Sequence, residues 1–261
     1  MVRLNSKGFG GFLAHKKGTR DYAFMIKGAE VSELQWNDVE AARYAGADQV
    51  NEVGEDVFRQ CVEMGVFENI KRGGRLTLIG HSQGAPSAQL LGVYLITRAL
   101  EEGLLTEEEA LQAIQVRGFG GMGARGFLDR LRGKDGLPLK VRSSVLQRID
   151  AVTYVVRGDE LVQEVPEPYV GSTYIVDTPD PDKYQVTEVW ARTPSLKAHA
   201  RSAYKAANYA TARRDTRSRK GVDRTVKDAL GVTAAADFVG GLADDAADWF
   251  NGAAGDPASQ K

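Results

Sequence analysis

A single cysteine, Cys61, in a chain of 261 residues rules out an internal disulfide framework. Long apolar runs are missing as well: none approaches the roughly 20 residues that a transmembrane helix needs. Neither sign of charge is in excess. Lys and Arg number 34 against 35 Asp and Glu, for a net charge of −1, so no global field draws the chain to nucleic acid or anionic membrane. Histidine is scarce, at three residues, which leaves few candidates for any chemistry that needs an imidazole. The start, "MVRLNSKGFGGFLAHKK", has neither the continuous apolar core nor the small-residue cleavage site of a signal peptide. A cytosolic location is expected, and export by a route that uses no signal peptide is compatible with the same residues.

What is present is an ordinary globular composition, 43% hydrophobic and 26% charged. The 29 glycines show no G-x-y period and imply tight turns. The length suits one large domain, or one medium domain with an appendage. "GFLAHKK" and "DYAFMIKGA", joined by "GTR", predict a hairpin with Tyr22, Phe24 and Ile26 on one face. "WNDVEAARYAGADQVNEVGEDVFRQCVEMGV" reads as mostly helical with breaks near Gly46 and Gly54. Cys61 shares a helical face there with Phe58 and Val62, which predicts a buried thiol rather than a reactive one.

Further along, Arg75–Gly80 reads as a strand and the residues from about Gln83 to Glu101 as a helix. Thr106 and Glu109 are spaced as a capping box. Strand-like runs recur at "AIQVRGF", "AVTYVVRGD", "STYIVD" and "QVTEVW", with a helical stretch between the first two. This alternation predicts an α/β layer structure with a mainly parallel sheet flanked by helices. Composition changes after "PSLKAHARSAYKAANYA": a basic run spans residues 213–227, and an Ala/Asp-rich run with Phe238, Leu242 and Trp249 follows. The division this predicts is a domain over residues 1–205 and a helical appendage over 206–261.

Chemistry concentrates at Gly80-His81-Ser82-Gln83-Gly84, a G-x-S-x-G pattern. With so many glycines the five letters alone are within reach of chance, so context decides. A nucleophile elbow is a sharp, strained strand-to-helix turn. Glycine is needed two residues before and after the serine, and the helix N-terminus points at the developing oxyanion. "RLTLI" supplies the strand and "APSAQLLGVYL" the helix, with Pro86 in the first turn, where the missing N–H has no intrahelical partner to lose.

A nucleophilic serine needs a base. His81 lies inside the turn, and His15 lies in the predicted hairpin. His199 follows the last predicted strand, where the order Ser…Asp/Glu…His places the base, so elimination favours it over His15. The acid is sought between them at a strand end. Asp159, after the apolar "VTYVV", fits best; Glu160, Asp177, Asp180 and Asp182 are the alternatives, and the run "VDTPDPDKY" also has a weak metal-site pattern.

In this order the fragments resemble the class 3, fungal-lipase-like lipases of the α/β-hydrolase group, over roughly residues 10 to 204. "YAFMIKGAEVSELQWNDV" is similar to that family's strand ending in an Arg-Gly-Thr/Ser turn, and "LIGHSQGAPSAQLLG" to its nucleophile segment. "VRGFGGMGARGF" stands where the family has a Phe-Gly-rich loop. "GDELVQEVP" resembles its acid segment, and His199 with Tyr204 its terminal His and Tyr. The resemblance implies an α/β-hydrolase fold and an oxyanion hole made by the backbone N–H groups of Gln83 and Ala29. The chain departs from the pattern at Lys27 and Ala29, where the family has Arg and Thr/Ser, and at Ala85, where a second glycine often stands. No apolar lid is evident between Trp36 and Ser82, which favours small or soluble esters over bulk fat.

The function these readings imply is hydrolysis of carboxylic esters by a Ser82–His199–Asp159 triad, with no cofactor and no metal. The substrate class is an acyl ester or lipid, with no nucleic-acid partner. The alternatives are a phospholipase delivered to another cell, whose C-terminal helices would contact a membrane face or a protein partner, and a non-catalytic binding protein on the same fold.

Overall fold

The computed structural model describes residues 2–6, 9–28, 46–159, 168–178 and 201–214. The first of these form three antiparallel strands, β1 (Val2–Ser6), β2 (Phe9–His15) and β3 (Tyr22–Ile26). The expected hairpin is β2–β3, with Tyr22, Phe24 and Ile26 all buried on one face. Strands β4 (Leu76–His81), β5 (Ile114–Phe119), β6 (Asp150–Val156) and β7 (Ser172–Asp177) then add in parallel, each to the one before. The last described strand, β8 (Asn208–Arg214), returns antiparallel to β7. Among the described residues the product is one mixed sheet of eight strands whose spatial order is the sequence order.

This differs from the sequence reading in two places. The sheet is parallel only at its centre, in the four pairings from β3–β4 to β6–β7, and antiparallel toward both edges. Residues 208–214, assigned above to a helical appendage, are instead a strand that carries the sheet past the expected boundary at 205/206. "NYATARR" disguises this because it alternates no apolar residues. The predicted strand "QVTEVW" and everything beyond residue 214 lie outside the described residues.

The described helices are α1 (Ala47–Glu63), α2 (Val66–Lys71), α3 (Gly84–Glu101), α4 (Glu107–Ala113), α5 (Ser143–Arg148) and α6 (Arg201–Ala206). A sheet built in sequential order by right-handed crossovers lays successive connections on the same face. Helix α3 occupies the centre of that face, crossing β4 and β5 so closely that a Cβ at Gly92 would meet Val116 at 2.5 Å. Every residue of α3 from Gly84 to Ala99 is buried, the signature of a helix enclosed on all sides. Leu90, Leu91, Leu95 and Ile96 each contribute about 1.5–3 kcal/mol by leaving water.

Helix α1 packs on α3 and does not break at Gly54. That glycine is instead a point of contact, since a Cβ there would lie 3.0 Å from the Tyr94 ring. Phe58 and Cys61 face inward as expected, but Val62 is 39% exposed and lies off that face. The Thr106 capping box forms: the Thr106 hydroxyl accepts from the Glu109 N–H at 3.3 Å, and the Glu109 carboxylate accepts from the Thr106 N–H at 2.8 Å. On the opposite face of the sheet, Tyr204 of α6 packs edge-on against Phe119, and its hydroxyl accepts from the Val156 N–H. No described helix is long and apolar enough to cross a membrane.

Candidate active site

Strand β4 and helix α3 meet at a turn of two residues, Ser82 and Gln83. Ser82 sits at φ +54°, the sole non-glycine with positive φ among the described residues. A Cβ there crowds the following carbonyl, at a cost of about 1–2 kcal/mol. The surroundings hold it in place. The Ser82 N–H donates to the Phe119 carbonyl at the end of β5 (2.9 Å), and the Ser82 carbonyl accepts from the Ala85 N–H (3.0 Å).

The flanking glycines are required by space. A Cβ on Gly80 would lie 2.0 Å from the Gly84 carbonyl oxygen, and one on Gly84 would lie 2.5 Å from the Ile26 carbonyl oxygen. Both obstacles are backbone, so neither can rotate away. The G-x-S-x-G pattern is thus a steric consequence of a helix starting hard against the strands that deliver it. Gln83 already has helical dihedrals and begins α3. The N–H groups of a first helical turn have no intrahelical partner and carry the positive end of the helix dipole. Across the turn, Gly28 follows β3 and lies against the same residues: its Cβ would meet the His81 carbonyl at 2.7 Å and the Ser82 Cβ at 3.2 Å.

Asp159 stands three residues beyond the end of β6, at 0% exposure. Its Oδ2 accepts a hydrogen bond from the Tyr204 hydroxyl at 2.5 Å, and its N–H donates to the Val156 carbonyl at 3.0 Å. The same Tyr204 oxygen accepts from the Val156 N–H at 3.2 Å, so one phenol joins α6, β6 and the carboxylate. Burial, and then the Asp159 charge, hold the Tyr204 phenol well above its ordinary range. At neutral pH it is therefore protonated and donates to the carboxylate. The His81 ring lies edge-on to Tyr204 with centroids 5.5 Å apart, which brings the turn and the Asp159 network side by side. Tyr209 on β8 donates to the Tyr204 carbonyl at 2.7 Å.

Other candidates separate on position. His15 is exposed at the far end of the sheet: it pairs with Tyr22, which pairs with Leu76, while Ser82 follows the other end of β4. About 16 Å of strand lies between those ends. Its Nε2 is within 2.7 Å of the Thr19 carbonyl, in the hairpin turn. Asp177 is half-exposed and paired with Arg157 at 2.7 Å. Cys61 is inert, because burial pushes its thiol up to about 12. His199, Ala29, Glu160, Asp180 and Asp182 lie outside the described residues. Among the described residues no cluster of His, Cys, Asp and Glu could hold a metal ion.

Sequence reasoning missed Gln89. It is a fully buried polar residue two turns beyond Ser82, and its signal was present: a lone carboxamide in a stretch, Gly84 to Val93, otherwise built of small and apolar residues. Tyr209 was missed because its strand was.

No protein-family model matches this chain, and no curated protein matches its sequence. Among solved structures it is similar to the Rhizomucor miehei lipase propeptide complex, at 14% identity and a TM-score of 0.44, covering 67% of this chain and 56% of that one. It is also similar to a triacylglycerol lipase from Penicillium expansum, at 12% identity and a TM-score of 0.40, covering 68% of each. The chain therefore spans little more than half of the Rhizomucor chain.

Proposed function

We propose that this chain is a serine hydrolase on an α/β-hydrolase fold of the class 3 lipase type, cleaving carboxylic esters through Ser82, His199 and Asp159. The observation that carries the reading is the strained turn. Ser82 is held at φ +54° between two glycines that the backbone itself requires, at the head of an 18-residue helix. Strain of this kind persists only where surrounding structure over-determines it, and it clusters at reactive sites.

In the proposed reaction His199 takes the Ser82 hydroxyl proton as the oxygen attacks the acyl carbonyl. Asp159 accepts the Nδ1–H of His199, orients the ring and stabilises its cation. Tyr204 in turn holds the carboxylate. The oxyanion of the tetrahedral intermediate is met by the backbone N–H groups of Gln83 and Ala29, each worth about 3 kcal/mol in such sites. Support for the second donor comes from Gly28, which abuts Ser82 and immediately precedes Ala29. His199 returns the proton to the leaving alcohol, and water then releases the acyl group by the same steps in reverse.

Short, soluble acyl esters are the proposed substrates, because nothing between Trp36 and Ser82 reads as an apolar lid. The test is hydrolysis of short-chain aryl esters by the wild-type chain and by Ser82→Ala and His199→Ala. Both variants are expected to stay folded and to lose about 10³-fold or more in kcat. Equal turnover by Ser82→Ala would end the proposal.

A further inference from the structure

Gln89 has 0% exposure, and its carboxamide makes contacts on both sides. Nε2 donates to the Met122 carbonyl at 3.1 Å and toward the Thr153 hydroxyl at 3.4 Å. Oε1 accepts from the Val170 N–H at 2.9 Å and from the Ala124 N–H at 3.3 Å. A carboxamide has two donor hydrogens and two acceptor positions, so the group is saturated. Its partners belong to three different pieces of backbone and strand.

Met122 and Ala124 lie in the glycine-rich loop after β5. That loop rests directly on the turn: a Cβ at Gly121 would lie 2.2 Å from the Ala85 Cβ and 2.9 Å from the Ser82 carbonyl oxygen. Val170 lies in the segment entering β7, downstream of Asp159. The two loops also meet each other, through the Arg125 N–H on the Pro168 carbonyl (2.9 Å) and the Tyr169 hydroxyl on the Gly121 carbonyl (2.9 Å). Gln89 fastens both loops to the helix that follows Ser82. An apolar residue of the same size would fill the space but leave one carbonyl and two N–H groups unpaired in the interior.

We propose that Gln89 is a positioning residue for Ser82: its carboxamide fixes the glycine-rich loop and the Val170 segment at a set distance from the nucleophile turn, and so sets the wall against which the acyl group is placed. This rests on the reading of Ser82 as nucleophile. A misplacement on the order of 1 Å at such a wall costs about 10²-fold in rate, and it falls on kcat because the reacting carbonyl is no longer aligned.

Two variants and two readouts test it. Gln89→Met keeps volume and loses every hydrogen bond. Gln89→Glu keeps shape, and as a neutral acid it retains one donor for Met122 and one acceptor for Val170. Circular dichroism and cooperative unfolding establish the folded fraction, to which all rates are normalised. The expected results for Gln89→Met are a fall in kcat of about 10- to 100-fold with KM little changed, and faster hydrogen exchange at the Ala124 and Val170 amides. For Gln89→Glu the ratio of kcat to wild type rises as pH is lowered, since protonation restores the donor. That arm stands in if Gln89→Met fails to fold. Folded Gln89→Met within about twofold of wild-type kcat, or a Gln89→Glu ratio flat with pH, overturns the proposal. If the wild-type chain hydrolyses no ester and Ser82 takes no acylating probe, the reading of the site falls. The clasp is then judged by exchange alone, where unchanged protection of Ala124 and Val170 in the variant overturns it.

Discussion

Replacing Tyr204 with Phe removes a single oxygen from the centre of the Asp159 network. The ring, and with it the edge-on contacts to His81 and Phe119, is retained. Two hydrogen bonds are lost. One is donated to the Asp159 carboxylate at 2.5 Å, the charge-assisted kind that contributes about 1.5–3 kcal/mol. The other leaves the Val156 N–H without its acceptor inside the sheet, at about 1–3 kcal/mol. The two share one oxygen and do not add fully, so the net cost is about 3 kcal/mol. For a domain of this size that corresponds to a fall in Tm of about 6–12 °C.

Urea unfolding of both proteins measures this directly. A pH series adds a sign. The folded phenol is held above its ordinary value of 10.0 by burial and by Asp159. Above that value the unfolded chain loses this proton while the folded chain keeps it. Folding stability then falls as pH rises. The advantage of wild type over Tyr204→Phe is therefore constant from about pH 6 to 9 and shrinks above about pH 10. Equal stability of the two proteins at pH 7, within about 0.5 kcal/mol, would show that the Tyr204 hydroxyl does not hold Asp159 and Val156 as described.

The strained turn predicts that Ser82→Gly is more stable than Ser82→Ala by about 1 kcal/mol, because only glycine relieves the positive φ, while both are inactive; thermal unfolding that ranks them the other way would remove the strain argument. Gly84→Ala drives a Cβ into the Ile26 carbonyl and is expected to cost about 2–3 kcal/mol in denaturant unfolding, with activity reduced even in the folded fraction. Cys61, with its thiol pushed up to about 12 by burial, should resist iodoacetamide at pH 8 in the native protein and react on unfolding; labelling at a native rate typical of an exposed thiol would contradict its placement.

The central strands and the serine turn were legible because their signals are local. "RLTLI" is a run of strand formers, and the two glycines stand where the crossing of β4, β3 and α3 leaves no room for a Cβ. The capping box at Thr106 and the β2–β3 hairpin are local in the same way. What escaped depends on tertiary partners. Gly54 looks like a helix break by propensity, yet tertiary packing against Tyr94 makes a small residue useful inside α1. Strand β8 has neither alternation nor an apolar run: "NYATARR" is held as a strand by its pairing with β7, the partner it has among the described residues. Gln89 carries no motif; its meaning comes from backbone groups 33 to 81 residues away. Tyr204 was noticed only through resemblance, since nothing in "SAYKAAN" announces a carboxylate 45 residues upstream.

Covalent labelling reads out whether Ser82 is the activated nucleophile proposed above. Wild-type chain would be incubated with a fluorophosphonate at pH 8, and the adduct located by mass spectrometry of peptides spanning Ser82 and the neighbouring Ser87. One adduct per chain is expected, on Ser82, with labelling abolished in Ser82→Ala and slowed by orders of magnitude in His199→Ala. Absence of an adduct on Ser82 in the folded wild-type protein, or labelling at an equal rate without His199, would contradict that role.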